Sequence, residues 1–281
     1  MLSRLKSAFV TSAFLFLVIG NGFSVHGQAA APAPASKPVD IRARVTETLV
    51  DSSTPDDPAV EKMLEAYAPK VRALNEVIGK LKGDLRKGGI GAGTMGNFVV
   101  DALRNRAEAK TGKPVLLAIT NSGGLRKSAI AEGDLTLGDI FELLPFENAL
   151  VTVDLTGDQL RRFLGVVLKE RDAQSGARIT FRLNDKKENE IVSVKLGTAG
   201  KEFEIDPNAT YTVATIDYMV KRGGEYSILQ EGKNLTPLNI TMRDAVIDYV
   251  RAETAAGRPI VGVLDGRFHS ENPTTETEKP Q

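Results

Sequence analysis

The segment "TNSGGLRKS" (Thr120–Ser128) sets an amide, two adjacent glycines and a guanidinium directly after the apolar run "PVLLAI" (Pro114–Ile119). Gly123 and Gly124 admit a positive φ or the close approach of another backbone or a ligand. Arg126 offers a planar fork of donors suited to phosphate, carboxylate or paired hydroxyls. On spacing alone the stretch reads as a tight turn after a strand, with Arg126 solvated. A second glycine pair, Gly223-Gly224, stands in "TIDYMVKRGGEYSIL", between Tyr218 and Glu225. Nucleophilic chemistry has little to draw on. Cysteine is absent, and the two histidines are His26 and His269, near the two ends of the chain, so a serine nucleophile would lack a histidine base within the fold. The glycine-rich stretch "GDLRKGGIGAGTMGN" (Gly83–Asn97) could expose helix amides to a phosphate, with Thr94 capping a helix from about Met95. It lacks the lysine-serine ending of a P-loop and the dinucleotide fingerprint, and reads as a flexible connection.

The elements that must carry these residues follow from periodicity and caps. "VDIRARVTETLVD" (Val39–Asp51) suggests a leading strand. Val60, Met63, Leu64, Tyr67, Val71, Leu74 and Ile78 recur at helical spacing after Asp57-Pro58, which predicts a long helix, bent at Pro69, whose apolar stripe packs against the fold. Phe98, Val99, Ala102 and Leu103 mark the inner face of a helix ending near Thr111-Gly112. Thr136 with Asp139 and Thr156 with Gln159 are capping-box pairs, the first opening a short helix that Pro145 ends. "ALVTVDL" alternates as a strand, and Leu160, Phe163, Leu164 and Val167 form the core face of the helix after it. Strands are expected at Ile179–Leu183, Ile191–Leu196, Phe203–Ile205 and Tyr211–Thr215, and a last amphipathic helix in "MRDAVIDYVRAETAAG". Strands and helices mix without regular βαβ alternation, so the class is α+β.

The chain has 281 residues, 42% hydrophobic and 26% charged, with 36 basic and 36 acidic residues. Such a balance gives no field for nucleic acid or an acidic membrane. Arg4 and Lys6, the apolar stretch Ala8–Ile19 and the small residues of Val25-His26-Gly27 form a secretory leader ending at 27, which implies a periplasmic or secreted protein with no stable membrane insertion after cleavage. Residues 28–38 are an Ala/Pro-rich linker, 39–82 a linker strand and helix, 83–268 the main domain and 269–281 a disordered tail.

Five landmarks stand in order: "TMGNFVVDAL", "NSGGLR", "GDLTLGDIFELLPFEN", "VDLTGDQL" and "YMVKRGGEY". Together they resemble the C-terminal, substrate-binding domain of the 5′-nucleotidase and UDP-sugar hydrolase family over nearly the whole folded part. The resemblance implies two similar β-rich halves that grip a nucleoside or nucleoside monophosphate. It implies that the base lies between Phe146 and Tyr218, a stack of about 1–3 kcal/mol per base; read without it, both rings are core aromatics. Asn121 and Asn148 match positions that hydrogen-bond the base, Arg126 the arginine of the ribose and phosphate region, and Glu225 a position usually aspartate that accepts from ribose hydroxyls. Gly123, Gly124, Gly223 and Gly224 would let backbone approach the ligand. Where many relatives carry an arginine and a glutamate ahead of "MGN", this chain has Gly91 and Ala92, with Arg86 and Lys87 out of register.

Full-length relatives carry an upstream two-metal phosphatase domain, and no spaced Asp/His/Asn cluster precedes the linker here. The expectation is therefore a chain without cofactor or catalytic residues of its own, with divalent metals only in a separately encoded metallophosphatase to which it presents substrate. The alternatives are a stand-alone nucleoside-binding protein and a degenerate fold used as an interaction module.

Overall fold

The computed structural model describes residues 43–197 and 200–272. The expected leader, the linker at 28–38 and residues 273–281 of the expected tail lie outside the described residues. The described residues fall into two units, divided between Pro55 and Asp56. In the first, residues 43–50 are exposed and belong to no strand, and Asp51 caps a turn by accepting from the Ser53 amide at 2.8 Å. The leading strand expected at 39–51 is thus not formed over these residues: β-branched side chains favour extension, but no neighbouring strand accepts the ladder.

The second unit opens with α1 (Pro58–Glu65), capped by Asp57, and α2 (Ala68–Ala73). They replace the single long helix. Pro69 at the start of α2 lacks an amide to donate back into α1, so the first helix closes before it. Neither helix buries a residue, and Val60, Met63, Leu64, Tyr67 and Val71 are all about half exposed or more (48–67%). The stripe expected to pack is bare. Ile78 does not extend a helix; it belongs to β1 (Val77–Lys82), so the ordered domain begins near 77 rather than 83.

The glycine-rich segment is ordered. β2 (Leu85–Arg86) leads to α3 (Gly93–Thr111), whose Met95, Phe98, Val99, Ala102 and Leu103 are buried and which ends at Gly112 in the left-handed conformation. Thr94 does not cap α3; its hydroxyl accepts from the Arg86 amide at 2.8 Å. A Cβ on Gly96 would stand 2.0 Å from the Gly91 carbonyl oxygen, so this loop closes on α3 by backbone contact.

Next come β3 (Leu117–Thr120), β4 (Ala129–Ile130) and β5 (Gly133–Thr136). α4 (Leu137–Leu143), β6 (Ala149–Thr156) and α5 (Gly157–Lys169) follow, both helices opened by the expected capping boxes. α5 buries Leu160, Phe163, Leu164 and Val167, as its periodicity predicts. β7 (Ala173–Ser175), β8 (Ala177–Leu183), β9 (Asn189–Leu196), β10 (Phe203–Glu204) and β11 (Thr210–Ile216) lead to α6 (Asp217–Arg222) and α7 (Ile228–Glu231). The unit closes with β12 (Lys233–Thr241), α8 (Met242–Ala255), β13 (Ile260–Val261) and β14 (Phe268–Ser270). His269 and Ser270, assigned from sequence to a disordered tail, pair with Thr180 and Phe181 of β8.

Among the described residues the strands form a five-stranded sheet, β12-β6-β11-β3-β7, a four-stranded sheet, β10-β9-β8-β14, and smaller sheets β13-β1-β5 and β2-β4. The fold is α+β.

Candidate functional site

Register brings the loops of three landmarks, "NSGGLR", "LLPFEN" and "YMVKRGGEY", to one end of the central sheet, the Asn121 edge. β3 and β11 run parallel, with Val213 opposite Leu117, and β6 runs antiparallel to β11, with Ile216 opposite Leu150. The C-terminal ends of β3 and β11 therefore lie beside the start of β6. β7 begins at the same edge, where Ala173 pairs with Thr120, and β12 ends there, where Thr241 pairs with Ala149. Asn121, Asn148, Asp172 and the start of α6 follow as neighbours.

Asn121 caps a single 3₁₀ turn, Ser122–Gly124, and the Gly124 amide donates to its carbonyl at 3.0 Å. Neither Gly123 nor Gly124 has a positive φ, so the glycines serve close approach. A Cβ on Gly124 would lie 3.3 Å from Asn121 Oδ1, in the space the amide now fills. That Oδ1 is buried and accepts no hydrogen bond among the described residues. An unpartnered buried acceptor costs about 1–3 kcal/mol until a donor reaches it.

Arg126 is anchored through its backbone amide to the Leu143 carbonyl at the end of α4, 2.9 Å away. Its guanidinium reaches the Gly123 carbonyl at 3.4 Å and lies over the Phe146 ring, 6.0 Å from the centroid. Lys87 also joins this turn: its ammonium donates to the Leu125 carbonyl at 2.8 Å. Gly91 sits at φ 79°, where an added Cβ would stand 2.6 Å from the Phe268 ring, so a side chain at this position is strained.

Phe146 is 46% exposed and Tyr218 44% exposed. Neither is a core aromatic. Arg243 braces the loop before β6: its guanidinium donates to the Leu144 carbonyl at 3.3 Å, pairs with Glu147 and lies 4.2 Å from the Phe141 ring centroid. Asn148 is half-buried, and its carbonyl accepts from the Met242 amide at 2.8 Å. Next to it, the Ala149 amide donates to Asp217 Oδ1 at 2.9 Å, tying the Phe146 loop to the residue before Tyr218. Met219 and Val220 are buried, which turns Tyr218 outward on the first turn of α6.

Gly223 and Gly224 both adopt positive φ, 63° and 60°, and with Arg222 and Glu225 line an open cleft of about 490 Å³. Glu225, expected to face a ribose, forms an ion pair with Lys169 of α5 at 2.9 Å.

Sequence reasoning missed the residue between the two glycine turns. Asp172 is 2% exposed; it accepts from the Tyr226 hydroxyl at 2.6 Å and from the Ser122 amide at 2.8 Å. Burial pushes its carboxyl up to about 6 despite both donors, because the desolvation of the charge outweighs them. Tyr226 is raised for the same reason and by the carboxylate beside it. The signal lay in position alone: Asp172 immediately precedes "AQSG" and Tyr226 immediately follows "GGE".

The exposed Phe146 and Tyr218 rings, the unpartnered Asn121 Oδ1 and Arg126 thus stand on loops at one end of the central sheet of an α+β unit. The chain belongs to the 5′-nucleotidase family: residues 76–231, more than half of the chain, match the model "5′-nucleotidase, C-terminal domain". It is 30% identical over 198 residues to the trifunctional nucleotide phosphoesterase protein YfkN of Bacillus subtilis, covering 66% of this chain and 13% of that protein. It is 30% identical over 178 residues to protein UshA of Yersinia enterocolitica, covering 60% of this chain and 30% of that protein. The 5′-nucleotidase precursor of Thermus thermophilus superposes with a TM-score of 0.64 at 26% identity, over 78% of this chain and 44% of that one. The chain thus spans less than half the length of each of these relatives.

Proposed function

We propose that this chain is an exported nucleoside- or nucleotide-binding unit, the substrate-binding half of a split nucleotide hydrolase whose metal chemistry resides in a separate phosphatase. The buried, unpartnered Oδ1 of Asn121 carries this reading. It needs a donor, and an exocyclic amine or ring N–H of a base is one. Phe146 and Tyr218 supply faces for a base, and Arg126, fixed at the Asn121 turn, supplies charge for a phosphate. The partner phosphatase is supported by the bare stripe Val60–Val71, which directly precedes the matched domain. Among the described residues no group of three His, Cys, Asp or Glu side chains is placed to hold a metal ion.

Gly91 favours a second reading, a stand-alone nucleoside-binding protein, since it leaves one cation fewer for a phosphate. Calorimetric titration with adenosine, uridine, AMP and UMP separates the two. Binding of the monophosphates well above that of the nucleosides supports substrate presentation. Equal binding supports the nucleoside-binding protein, and no binding across the panel leaves the fold as an interaction module.

A further inference from the structure

We propose that Asp172 is a positioning residue that yokes the two glycine turns, residues 121–126 and 223–226, so that a ligand gripping one turn orders the other; this rests on reading both turns as ligand-binding. The two turns are about a hundred residues apart in sequence and no strand contains both. Asp172 reaches them with its two carboxylate oxygens, Oδ2 to the Tyr226 hydroxyl and Oδ1 to the Ser122 amide. The segment leading to it makes further ties: the Arg171 carbonyl accepts from the Gly91 amide at 3.3 Å, and Lys169 pairs with Glu225. Residues 169–172 therefore touch two of the landmark segments and the glycine-rich loop at Gly91. Tyr226 is held as a rigid lever, its ring edge-on to Phe163 with centroids 6.5 Å apart and the Arg222 guanidinium 5.2 Å from its centroid. A buried network of this kind transmits displacement, because each member has few alternative partners.

The charged groups around Asp172 are Glu170, which opposes its ionisation, and Arg222 over the Tyr226 ring; Lys169 and Glu225 neutralise one another nearby. Burial raises the carboxyl to about 6, so its charge state changes just below neutral pH and its contribution to stability is larger on the acid side.

Hydrogen exchange on the full chain without ligand tests the yoke directly, because amide exchange reports local opening. Tyr226→Phe keeps the ring and removes only the hydroxyl. It is expected to speed exchange of the Ser122 and Gly124 amides about tenfold, although it alters nothing in their turn. Asp172→Ala is expected to do at least as much. Asp172→Asn should restore most of the protection, since its amide oxygen still accepts from Ser122 while Tyr226 accepts from its nitrogen. An effect of Tyr226→Phe confined to residues 223–231 overturns the proposal, and this holds even where Asp172→Ala does not fold. A second arm adds AMP: protection of both turns in the wild type and of only one in Tyr226→Phe supports coupling. Failure of the wild type to bind AMP or adenosine removes the ligand reading but leaves the first arm decisive for the yoke.

Discussion

The Arg126 guanidinium lies over the Phe146 ring, 6.0 Å from its centroid, although the two residues stand on different loops. Cation–π attraction at exposed sites is worth about 0.5–1 kcal/mol, enough to bias the arginine toward this position. With Arg126 over one face, a base would stack on the other. Arg126→Ala should therefore weaken a nucleoside monophosphate by roughly 10- to 100-fold, the loss of a charge-assisted hydrogen bond of about 1.5–3 kcal/mol. The unphosphorylated nucleoside should change only a few-fold. Arg126→Lys should recover little, because an ammonium lacks the planar face. Titration calorimetry with AMP and adenosine reads the difference, and equal losses for both ligands would place Arg126 away from the phosphate.

A base on Phe146 should depend on the ring alone. Phe146→Leu keeps an apolar side chain at a site already 46% exposed, so stability should change by less than about 0.5 kcal/mol. Ligand affinity should fall about tenfold or more, as expected when a stacking face worth about 1–3 kcal/mol is lost. Tyr218→Leu should behave alike. Unfolding curves and ligand titrations on the same preparations separate the two effects; unchanged affinity in both variants would remove the aromatic clamp.

Asp172 predicts a pH dependence of stability. Its carboxyl ionises near 3.8 when unfolded and near 6 when folded, so between these values the native state binds more protons. Stability contributed by this group is then full below about pH 4 and is lost as pH rises through 6. Asp139 and Asp265, whose carboxyls are lowered by Lys127, Thr136 and Arg267 partners, have the opposite sign. The comparison of wild type with Asp172→Asn isolates the term. The melting temperature of the variant relative to wild type should rise between pH 4 and pH 7, by an amount equivalent to at most about 3 kcal/mol. A difference that stays flat with pH would mean that Asp172 ionises normally.

Two glycines inside helices should respond oppositely to the same substitution. In an open helical position Gly→Ala gains up to about 1 kcal/mol. Gly165 of α5 has nothing within 4 Å of an added Cβ, and Gly165→Ala should be stabilising. Gly96→Ala would place its Cβ 2.0 Å from the Gly91 oxygen and 2.9 Å from the Ala92 Cβ, and the contact is with backbone that cannot swing away. It should destabilise by about 2 kcal/mol or more. Urea unfolding of both variants checks the sign.

How much of this was legible depended on whether the signal was local. The capping boxes at Thr136 and Thr156 and the buried stripe of α5 are written in four to eight consecutive residues, and the structure reproduces them. β12 was missed because it breaks strand rules: it contains Pro237, two asparagines at positive φ, and two register shifts against β6, which only an edge strand tolerates. The glycine-rich loop looked flexible because its glycines serve a tertiary purpose, letting the Gly91 carbonyl touch α3 at Gly96. The stripe on α1 and α2 was read correctly as apolar but wrongly as packed, since periodicity names a buried face without naming what covers it. The landmark motifs indicated Asn121, Arg126, Phe146 and Tyr218, whereas Asp172 emerges only when β3 and β7 pair.

The last prediction is that this chain alone does not hydrolyse phosphate esters. The transferring phosphoryl group needs compensation of charge on its oxygens and a positioned water, and two bridged metal ions provide both where they occur. Building such a pair takes several closely spaced carboxylates and imidazoles. Cysteine is absent from the sequence, His26 and His269 are its only imidazoles, and His269, on β14, pairs with Thr180 of β8. Arg126 and Lys87 can neutralise a bound phosphate at the Asn121 turn, but neither is a base that activates water near neutral pH. Incubation with AMP and added Mn²⁺, Co²⁺ or Zn²⁺ should therefore release no more phosphate than metal and buffer alone. Release that persists through repeated purification and disappears in Phe146→Leu would reveal an active site at this edge and overturn the assignment of the chemistry to a partner.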